Sequence, residues 1–512
     1  MTRLLRTLRY LRPRQLAYQL YYRLSGRLRR RPPPGPPPPV ANDSPTGPPL
    51  PPGFHLPPRW FAPARFTFLN RTVDFGSAHA IDWNYAGEGK LWTYNLNYFE
   101  FLRQPAVDAP GGLALIRDWI TKAATHRDGW EPYPLSLRLV NWGQFLRSLP
   151  GPPPRDIRDA YVRQYADLWA KLEYHLDGNH LLENALALAY AARWLGDGGG
   201  RRRADRLLRR QLREQYLPDG AHYELSPTYQ LVLLWRQLDL LSLDPAAIAP
   251  ALVARQLGWV VNMRSPHSGR YPHFNDSAPG IAPTTRATLA YAAALAIEPA
   301  AQPLAQSGYR HWVSGPLEVW IDAAAIGPDH IPGHAHADNL TFELHLGGRP
   351  LIVDPAISTY EKNARRQWER ATAAHNTVTV AGGDSSEVWG GFRVGRRART
   401  TILGEVAGAS LIARHDGYPG GHLRSFTLDG RRLLITDCVR GPATARFHFD
   451  HTREPQLTGD ELRCGPLTLR WRGATGARLK EYHQAVGWNE LRPANCLELT
   501  FADELTVVLR GE

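Results

Sequence analysis

The chain has 512 residues, 43% of them hydrophobic, which excludes a disordered protein and predicts two or three globular domains. Its three cysteines form no CxxC pair, which argues against a disulfide framework and against a cysteine-bound zinc ion. The net charge of +13 does not indicate a nucleic-acid partner, because residues 1–31 hold ten arginines and no acid while the rest has 51 basic and 48 acidic residues.

The first predicted element, residues 1–31, is a basic amphipathic segment. The stretch TRLLRTLRYL places Leu4, Leu8 and Leu11 on one helical face among arginines, and similar spacing continues to Leu28. Such a helix suits peripheral contact with an anionic membrane, and docking on the protein's own body is an equally open alternative. The segment lacks the continuous apolar run of a secretory signal.

The chain then changes its character twice. Residues 32–59 are so rich in proline that they predict an extended linker. Residues 60–315 show apolar positions at three- and four-residue spacing in eight stretches, which predicts antiparallel helices joined by short loops.

From residue 316 to residue 512 the pattern becomes alternating and rich in β-branched residues. Stretches such as NLTFELHL, HNTVTVAG and ELTVVLRG predict strands, and together they predict an antiparallel β-sandwich. The predicted fold class is therefore α+β with two packed domains. Ligand clefts favour such a junction.

One stretch of the strand region, GHAHADNLTFELHLGGRPLIVDP, carries candidate site residues. His334 and His336 face the same side if the backbone there is extended, and Asp354 returns near them at the end of a predicted hairpin. His375 opens the next strand. Two histidines and one carboxylate suit Zn²⁺, whereas any one of these residues alone would more often be a hydrogen-bonded loop residue.

Two further clusters lie in the helical half. In GNHLLENALAL, His180 and Glu183 share a helical face, and Asn179 stands where an N-cap is expected. In DGAHYELSPTYQ, the Ser-Pro pair predicts a helix start, and Tyr229 follows in the first turn. From the pattern alone, Asn179 would be a cap and Tyr229 a packed aromatic residue.

Taken together, these motifs resemble the heparinase II/III family of polysaccharide lyases, which includes alginate-lyase-like members. The resemblance covers nearly all of residues 60–450 and rests on NHLLEN, DGAHYELSPTYQ, the His-x-His stretch and RATAAHNTVTVAGGDSSEVWGGFRVGRRA. It implies an incomplete (α/α) toroid followed by an antiparallel β-sandwich. It also implies β-elimination on a polysaccharide that contains uronic acid.

The resemblance also implies roles for the candidate residues. Asn179, His180 and Glu183 would hold and neutralise the uronate carboxylate. Tyr229 would be the acid, or base and acid in turn, and His334 the partner base.

A second set of roles concerns the metal. His336, Asp354 and His375 match the family's zinc ligands, so a structural Zn²⁺ or another divalent cation is expected as a cofactor with a cleft-shaping role.

The anionic polysaccharide itself is the expected partner. Arg138, Asn141 and Trp142 are candidate sugar contacts, with helix packing as the equal alternative. Glu224 and Arg370 are also predicted to bind substrate.

Some points stay open at this level. Certain relatives carry a catalytic tyrosine in the loop after Asp354, but Tyr360 does not align with it clearly, and Ala335 stands where glycine is common. The start of the chain is similar to that of members encoded with exopolysaccharide genes. This predicts the cell envelope or periplasm, with the cytoplasm as the alternative because no export signal is recognisable.

Three other protein classes are alternatives to a polysaccharide lyase. A cupin would place a glutamate three or four residues after His-x-His, whereas Glu343 lies seven residues after His336. An amidohydrolase would need alternating βα units. A non-catalytic polysaccharide-binding or assembly factor of an exopolysaccharide system remains the alternative function.

Overall fold

The computed structural model describes residues 2–28 and 59–512. Most of its helices precede most of its strands. The helices are α1 (Arg3–Leu8), α2 (Pro13–Leu28), α3 (Lys90–Tyr98), α4 (Ala109–Lys122), α5 (Pro132–Arg147), α6 (Arg155–Ala170), α7 (Gly178–Trp194), α8 (Gly198–Gln215), α9 (Pro227–Leu243), α10 (Pro250–Met263), α11 (Thr285–Ala294) and α12 (Ala364–Glu369).

All strands pair antiparallel. They are β1 (Trp60–Phe61), β2 (Arg65–Phe68), β3 (Arg71–Asp74), β4 (Tyr309–Ser314), β5 (Leu317–Asp322), β6 (Phe342–Leu346), β7 (Arg349–Ile352), β8 (Val378–Val380), β9 (Val388–Trp389), β10 (Arg393–Val394), β11 (Thr400–Val406), β12 (Ser410–His415), β13 (His422–Asp429), β14 (Arg432–His448), β15 (Gln456–Thr458), β16 (Glu461–Cys464), β17 (Leu467–Gly487) and β18 (Glu490–Gly511).

The helix-rich first part and the antiparallel second part confirm the predicted order of the two regions. Helices α3 to α10 coincide with the eight stretches of helical periodicity. The start of α9 follows the Ser-Pro signal, because Ser226 Oγ accepts a hydrogen bond from the Tyr229 amide and Pro227 occupies the first turn. The toroidal arrangement of these helices stays a prediction.

Two local elements differ from the sequence interpretation. Strands β1 to β3 form a small sheet within residues predicted to be helical, because Phe66 and Phe68 alternate inward and Phe66 packs against Phe101. Helix α12 interrupts the strand region, and the Asn363 side chain caps it. Residues 32–58 of the predicted linker lie outside the described residues.

The two larger sheets of the second region share one apolar core. The nine-stranded sheet has the order β11-β12-β13-β14-β18-β17-β16-β15, with β8 beside β14, and the other sheet has the order β4-β5-β6-β7. Phe342 of the smaller sheet lies 6.0 Å from both Phe426 and Phe447 of the larger one, ring centre to ring centre. This is the layered packing of a sandwich.

The helical and strand regions meet along a buried junction. Trp320 and Tyr309 of the smaller sheet, together with Ile357 and Trp488, belong to the apolar core of the helices. The loops around residues 275, 334 and 360 are therefore held against the first turns of α7 and α9. In the described parts of the chain, no helix combines the length and the apolar composition needed to cross a bilayer.

Candidate active site

The first turn of α7 presents Asn179 at the junction. Asp177 and Gly178 both have positive φ, 68° and 58°, and turn the chain sharply into the helix. A Cβ at Gly178 would overlap the carboxylate of Glu224, so glycine is required for this close approach. The turn places the buried Asn179 side chain beside the His-x-His loop.

Glu224 fixes Asn179 from two directions. Its Oε1 accepts a hydrogen bond from the Asn179 backbone amide at 2.7 Å, and its Oε2 accepts one from the side-chain Nδ2 at 2.9 Å. The same Nδ2 lies 3.2 Å from Nε2 of His334. Glu224 is buried and holds Asn179 against His334, and its contact with substrate stays a prediction.

His334 is held at its other ring nitrogen by Asp276. The distance from Nδ1 to Oδ2 is 2.8 Å, and the two guanidinium nitrogens of Arg366 donate to the same carboxylate. Burial alone would raise the pKa of Asp276, but Arg366 and the histidines hold it well below its usual range. An ionised Asp276 accepts a hydrogen bond from Nδ1–H, which leaves a lone pair at Nε2 of His334.

Tyr229 stacks on this histidine. The two ring centroids are 3.9 Å apart, although the residues come from α9 and from a loop of the strand region. The hydroxyl of Tyr229 lies 3.1 Å from that of Tyr360. Burial raises the pKa of both phenols above their usual range, so both carry their protons at neutral pH.

Two titratable residues of α7 complete the helical side. Burial raises the pKa of Glu183 to about 8, so its carboxyl group is protonated at neutral pH. His180 Nδ1 lies 3.0 Å from Glu173 Oε1. Burial alone would lower the pKa of His180, but the negative charge of Glu173 outweighs it and raises the pKa. Glu183 and His180 thus place a neutral carboxylic acid and a readily protonated imidazole on the same helix.

Four residues predicted as sugar contacts have partners within the protein, and their contact with sugar stays a prediction. Arg138, Asn141 and Trp142 are fully buried because α5 is enclosed by other helices, and Arg138 and Asn141 bond to Gln164 and to backbone carbonyls of α3. Arg370 is also buried and donates to the carbonyl of Ala335. Arg370 therefore holds the His-x-His loop in place through the backbone of Ala335.

A second cluster begins one residue beyond the stacked pair. His336, Asp338 and His375 each offer one ligand atom, and these atoms lie within 4.8 Å of one another. His336 Nδ1, Asp338 Oδ2 and His375 Nε2 are all buried and have no hydrogen-bond partner. Buried polar atoms are normally satisfied, so three unpaired ones at one place fit a bound cation.

The donor set suits a divalent metal, although it differs from the predicted one. Two imidazole nitrogens and a carboxylate oxygen are typical ligands of Zn²⁺. Asp354, predicted as a ligand, has Oδ2 2.6 Å from Nδ1 of His375 and is not part of the cluster. Asp354 contacts Nδ1 of His375, whereas the unpaired nitrogen of that ring is Nε2. A carboxylate in this position orients the ring for metal binding.

Sequence reasoning left Tyr360 open and missed two other residues of the stacked site. Arg366 lies in α12, between Asp354 and His375, and a search of that stretch for a guanidinium would have found it. Asp276 stands alone in HFNDSAP, with no neighbour in sequence to mark it. Asp338, two residues after His336, was open to the same strand-alternation argument as the histidines.

Family models match the two halves of this site. The model of the heparinase II/III N-terminus matches residues 116–302, which include Asn179 and Tyr229. The model described as heparinase II/III-like, C-terminal, matches residues 296–485, which include His334 and His375. A sequence search among curated proteins gave no match.

Solved structures show the same fold. A crystal structure of heparinase III has a TM-score of 0.66 and 15% identity, over 84% of this chain and 79% of that one. The heparinase III product of gene BT4657 has a TM-score of 0.61 and 16% identity, over 86% and 81%. The heparan sulfate lyase HepC from Pedobacter heparinus has a TM-score of 0.56 and 17% identity, over 86% and 79%.

Proposed function

The chain belongs to the heparinase II/III family of polysaccharide lyases, and we propose that it cleaves a uronic-acid-containing polysaccharide by β-elimination. One observation carries the proposal. Asn179, Tyr229 and His334 come from two regions of the chain, yet the Asn179 amide and the Tyr229 ring both contact the same imidazole.

The reaction sets three tasks for the site. The C5 proton of a uronate is only weakly acidic, so the adjacent carboxylate must be neutralised as the proton leaves. A base must take that proton, and an acid must protonate the departing C4 oxygen. The C4–O bond breaks as the C4–C5 double bond forms, which leaves an unsaturated uronate at the new non-reducing end.

His334 is the proposed base. Its Nδ1 is committed to the ionised Asp276, so Nε2 carries the lone pair that accepts the C5 proton. The resulting imidazolium is stabilised by Asp276, whose charge Arg366 keeps in place. Asn179 lies on the same nitrogen, so a carboxyl group bound there brings C5 next to the base.

Tyr229 is the proposed acid. Its phenol is protonated at neutral pH, and its stacked position keeps the hydroxyl beside the base and beside Tyr360. Transfer of the Tyr229 proton to the C4 oxygen leaves a phenolate. The hydroxyl of Tyr360 donates to that phenolate, which places Tyr360 in the site as a support of the acid.

Neutralisation of the uronate falls to α7. Glu183 is protonated at neutral pH and donates a hydrogen bond to the carboxylate, and His180 contributes positive charge. With the Asn179 amide, these groups present donors and no net negative charge to the substrate carboxylate. Glu224 acts indirectly, because it positions Asn179.

We also propose that His336, Asp338 and His375 hold one divalent ion, Zn²⁺ by donor type, with Asp354 orienting His375. Such an ion would cross-link the loops that carry these three residues. Asp276 links the two clusters, because its Oδ1 lies 2.8 Å from Nε2 of His336. Fixing His336 therefore also fixes the carboxylate that holds His334.

The substrate class follows from the site's preference for a carboxylate and from the family. The similar structures include a heparan sulfate lyase, and glycosaminoglycans are therefore the first candidates. Alginate-like polymers and acidic exopolysaccharides share the uronate and complete the class. Acting on such polymers suits a place in the cell envelope.

A panel of uronic-acid polysaccharides tests the proposal. The wild-type protein should generate ultraviolet absorbance from unsaturated uronate ends on at least one member, and Tyr229→Phe should not at comparable concentration. Binding to a polymer without new unsaturated ends, across the whole panel, would contradict β-elimination. That result would support the polysaccharide-binding or assembly role instead.

A further inference from the structure

The N-terminal segment, residues 2–24, is fastened to the helical region through its polar side chains. Arg12 and Arg14 reach Asp177, at 3.5 and 3.0 Å, and Arg12 also pairs with Glu214. Asp177, Glu214 and His330 form a group that could hold a cation, and the two guanidinium groups supply the positive charge there. This anchor lies two residues before Asn179.

The same segment is fastened to the strand region. Arg6 pairs with Glu387 at 2.6 Å, and Thr7 donates to the carbonyl of Val394. The Arg397 guanidinium lies 3.7 Å above the ring of Tyr10. Helices α1 and α2 therefore bridge both regions, which agrees with docking on the protein's own body, the alternative left open by the sequence.

The apolar face of the segment nevertheless points outward. Among the described residues, fifteen large apolar side chains are exposed, and seven of them lie between residues 4 and 24. They are Leu4 (49%), Leu5 (53%), Leu8 (37%), Leu16 (43%), Leu20 (60%), Tyr21 (48%) and Leu24 (53%). A helix that only packs on its own protein turns its leucines toward that protein. In α1 and α2 the leucines face outward and the anchoring arginines face the protein, which is the reverse of that arrangement.

Spacing and charge identify the occupant of this face. Leu16, Leu20 and Leu24 recur every four residues and form one stripe along α2. Exposed Arg9 caps the C-terminus of α1 and exposed Arg23 lies on α2, and residues 1–31 contain no acid. A leucine stripe among arginines matches the acyl and headgroup layers of an anionic bilayer.

We propose that the outward face of α1 and α2 is a docking surface for an anionic membrane. The arginines facing inward hold the helices on the enzyme, and the leucines enter the interface. The contact is peripheral, because the helices lie along the protein surface rather than spanning the lipid. The proposal is independent of the reaction, since the leucine face is formed by none of the residues assigned to catalysis.

Vesicle sedimentation of the full chain tests this surface. The wild-type protein should bind vesicles of phosphatidylglycerol and phosphatidylcholine, bind pure phosphatidylcholine much more weakly, and lose affinity as salt rises. Leu16→Ser/Leu20→Ser/Leu24→Ser should weaken binding at least about tenfold. Arg9→Gln and Arg23→Gln should each weaken it about fivefold, the equivalent of about 1 kcal/mol.

Matched control variants distinguish specific docking from non-specific hydrophobic adsorption to the vesicles. Leu403→Ser and Val406→Ser remove exposed apolar side chains from β11, 57% and 62% exposed, and should leave vesicle binding unchanged. The triple serine variant should keep the wild-type melting temperature and lyase activity on soluble polymer. A lower melting temperature would show that the stripe is covered by the protein itself, which overturns the proposal.

Three other outcomes would also overturn it. One is an absence of vesicle binding by the wild-type chain at low salt. Another is equal binding to neutral and anionic vesicles, which would remove the role of the arginines. The last is a wild-type dimer that the triple serine variant dissolves without any change in vesicle binding, which would make the stripe a contact between two copies.

Discussion

His334 and His336 bind the same carboxylate, Asp276, yet they belong to two different kinds of site. Both ring nitrogens of His334 have polar partners, and its ring is stacked against Tyr229. His336 bonds to Asp276 through Nε2 and leaves Nδ1 buried and unpaired, next to equally unpaired atoms of Asp338 and His375. The comparison shows how one short loop holds two histidines in different surroundings.

The difference arises from strand geometry and from what each side faces. His334 lies at the junction with the helices and is 7% exposed. His336 points into the interior of the strand region and is fully buried. A satisfied imidazole near solvent suits proton transfer, whereas converging unpaired ligand atoms in the interior suit a cation.

The largest expected effect separates the two sites by activity. Tyr229→Phe removes only the hydroxyl of the proposed acid, so turnover should fall by about 10²–10⁴ while the fold and the metal content stay unchanged. His334→Gln should behave similarly. Steady-state kinetics on the cleaved polymer measures this loss.

A matched tyrosine provides the control for that measurement. Tyr271→Phe removes a hydroxyl whose partner is Thr228 rather than a site residue, and activity should remain near wild type. If Tyr229→Phe and Tyr271→Phe had equal activity, Tyr229 would be a packed aromatic residue and not the acid.

The next effect concerns the metal cluster. His375→Ala should abolish binding of one zinc ion per chain and lower the melting temperature, because metal binding to the native state stabilises it. Added Zn²⁺ should raise the melting temperature of the metal-stripped wild type but not that of the variant. His415→Ala, at another buried histidine outside the cluster, should keep the metal.

A smaller effect distinguishes a ligand from a residue that orients a ligand. Asp338→Asn should remove one ligand and most of the zinc affinity. Asp354→Asn should weaken zinc binding by only about 10–100-fold, since it disturbs the orientation of His375. Competition with a chelator measures both values, and the opposite ranking would return Asp354 to the ligand set predicted from the sequence.

The change with the smallest expected effect on turnover is at Glu183, where we expect a pH dependence of the free energy of unfolding. The native state keeps a proton on Glu183 up to about pH 8, whereas an unfolded glutamate loses it near 4.5. The free energy of unfolding should therefore fall as pH rises through that interval. Glu183→Gln removes this titration and should stabilise the protein by about 2–5 kcal/mol at pH 8 and by almost nothing at pH 4.5.

Denaturation in urea at the two pH values measures this difference. Turnover of Glu183→Gln should stay within about tenfold of wild type, because the amide can still donate a hydrogen bond. Equal stabilisation at both pH values would show that Glu183 is ionised in the native state.

Much of this architecture could be predicted from the sequence, because an element with one buried face imposes a regular spacing on its apolar residues. Helices α3 to α10 were recognisable for that reason, whereas strands β1 to β3 have only two to four residues and too little alternation to detect. Asn179, Tyr229 and His334 were found through motif resemblance. Arg138, Asn141 and Trp142 lie on a helix that is buried on all sides, which the helical period alone does not reveal.

Asp276 marks the limit of such reasoning. It connects His334, His336 and Arg366, and Arg366 lies 90 residues away in the chain. A single aspartate in a loop has no periodicity and no ligand spacing, so only the folded arrangement reveals it. The same holds for the outward-facing leucines of α1 and α2. A helical pattern predicts that the leucines form a stripe, but it does not predict whether that stripe faces the protein or the solvent.

The structure of Tyr229→Phe bound to an oligosaccharide from the cleaved polymer tests the central claim most directly. We expect a uronate carboxyl group to contact Asn179 and the C5 atom of that sugar to lie within about 3.5 Å of Nε2 of His334, the distance of a reactive geometry. A sugar bound with C5 away from that nitrogen, or bound outside the junction of the two regions, would contradict it.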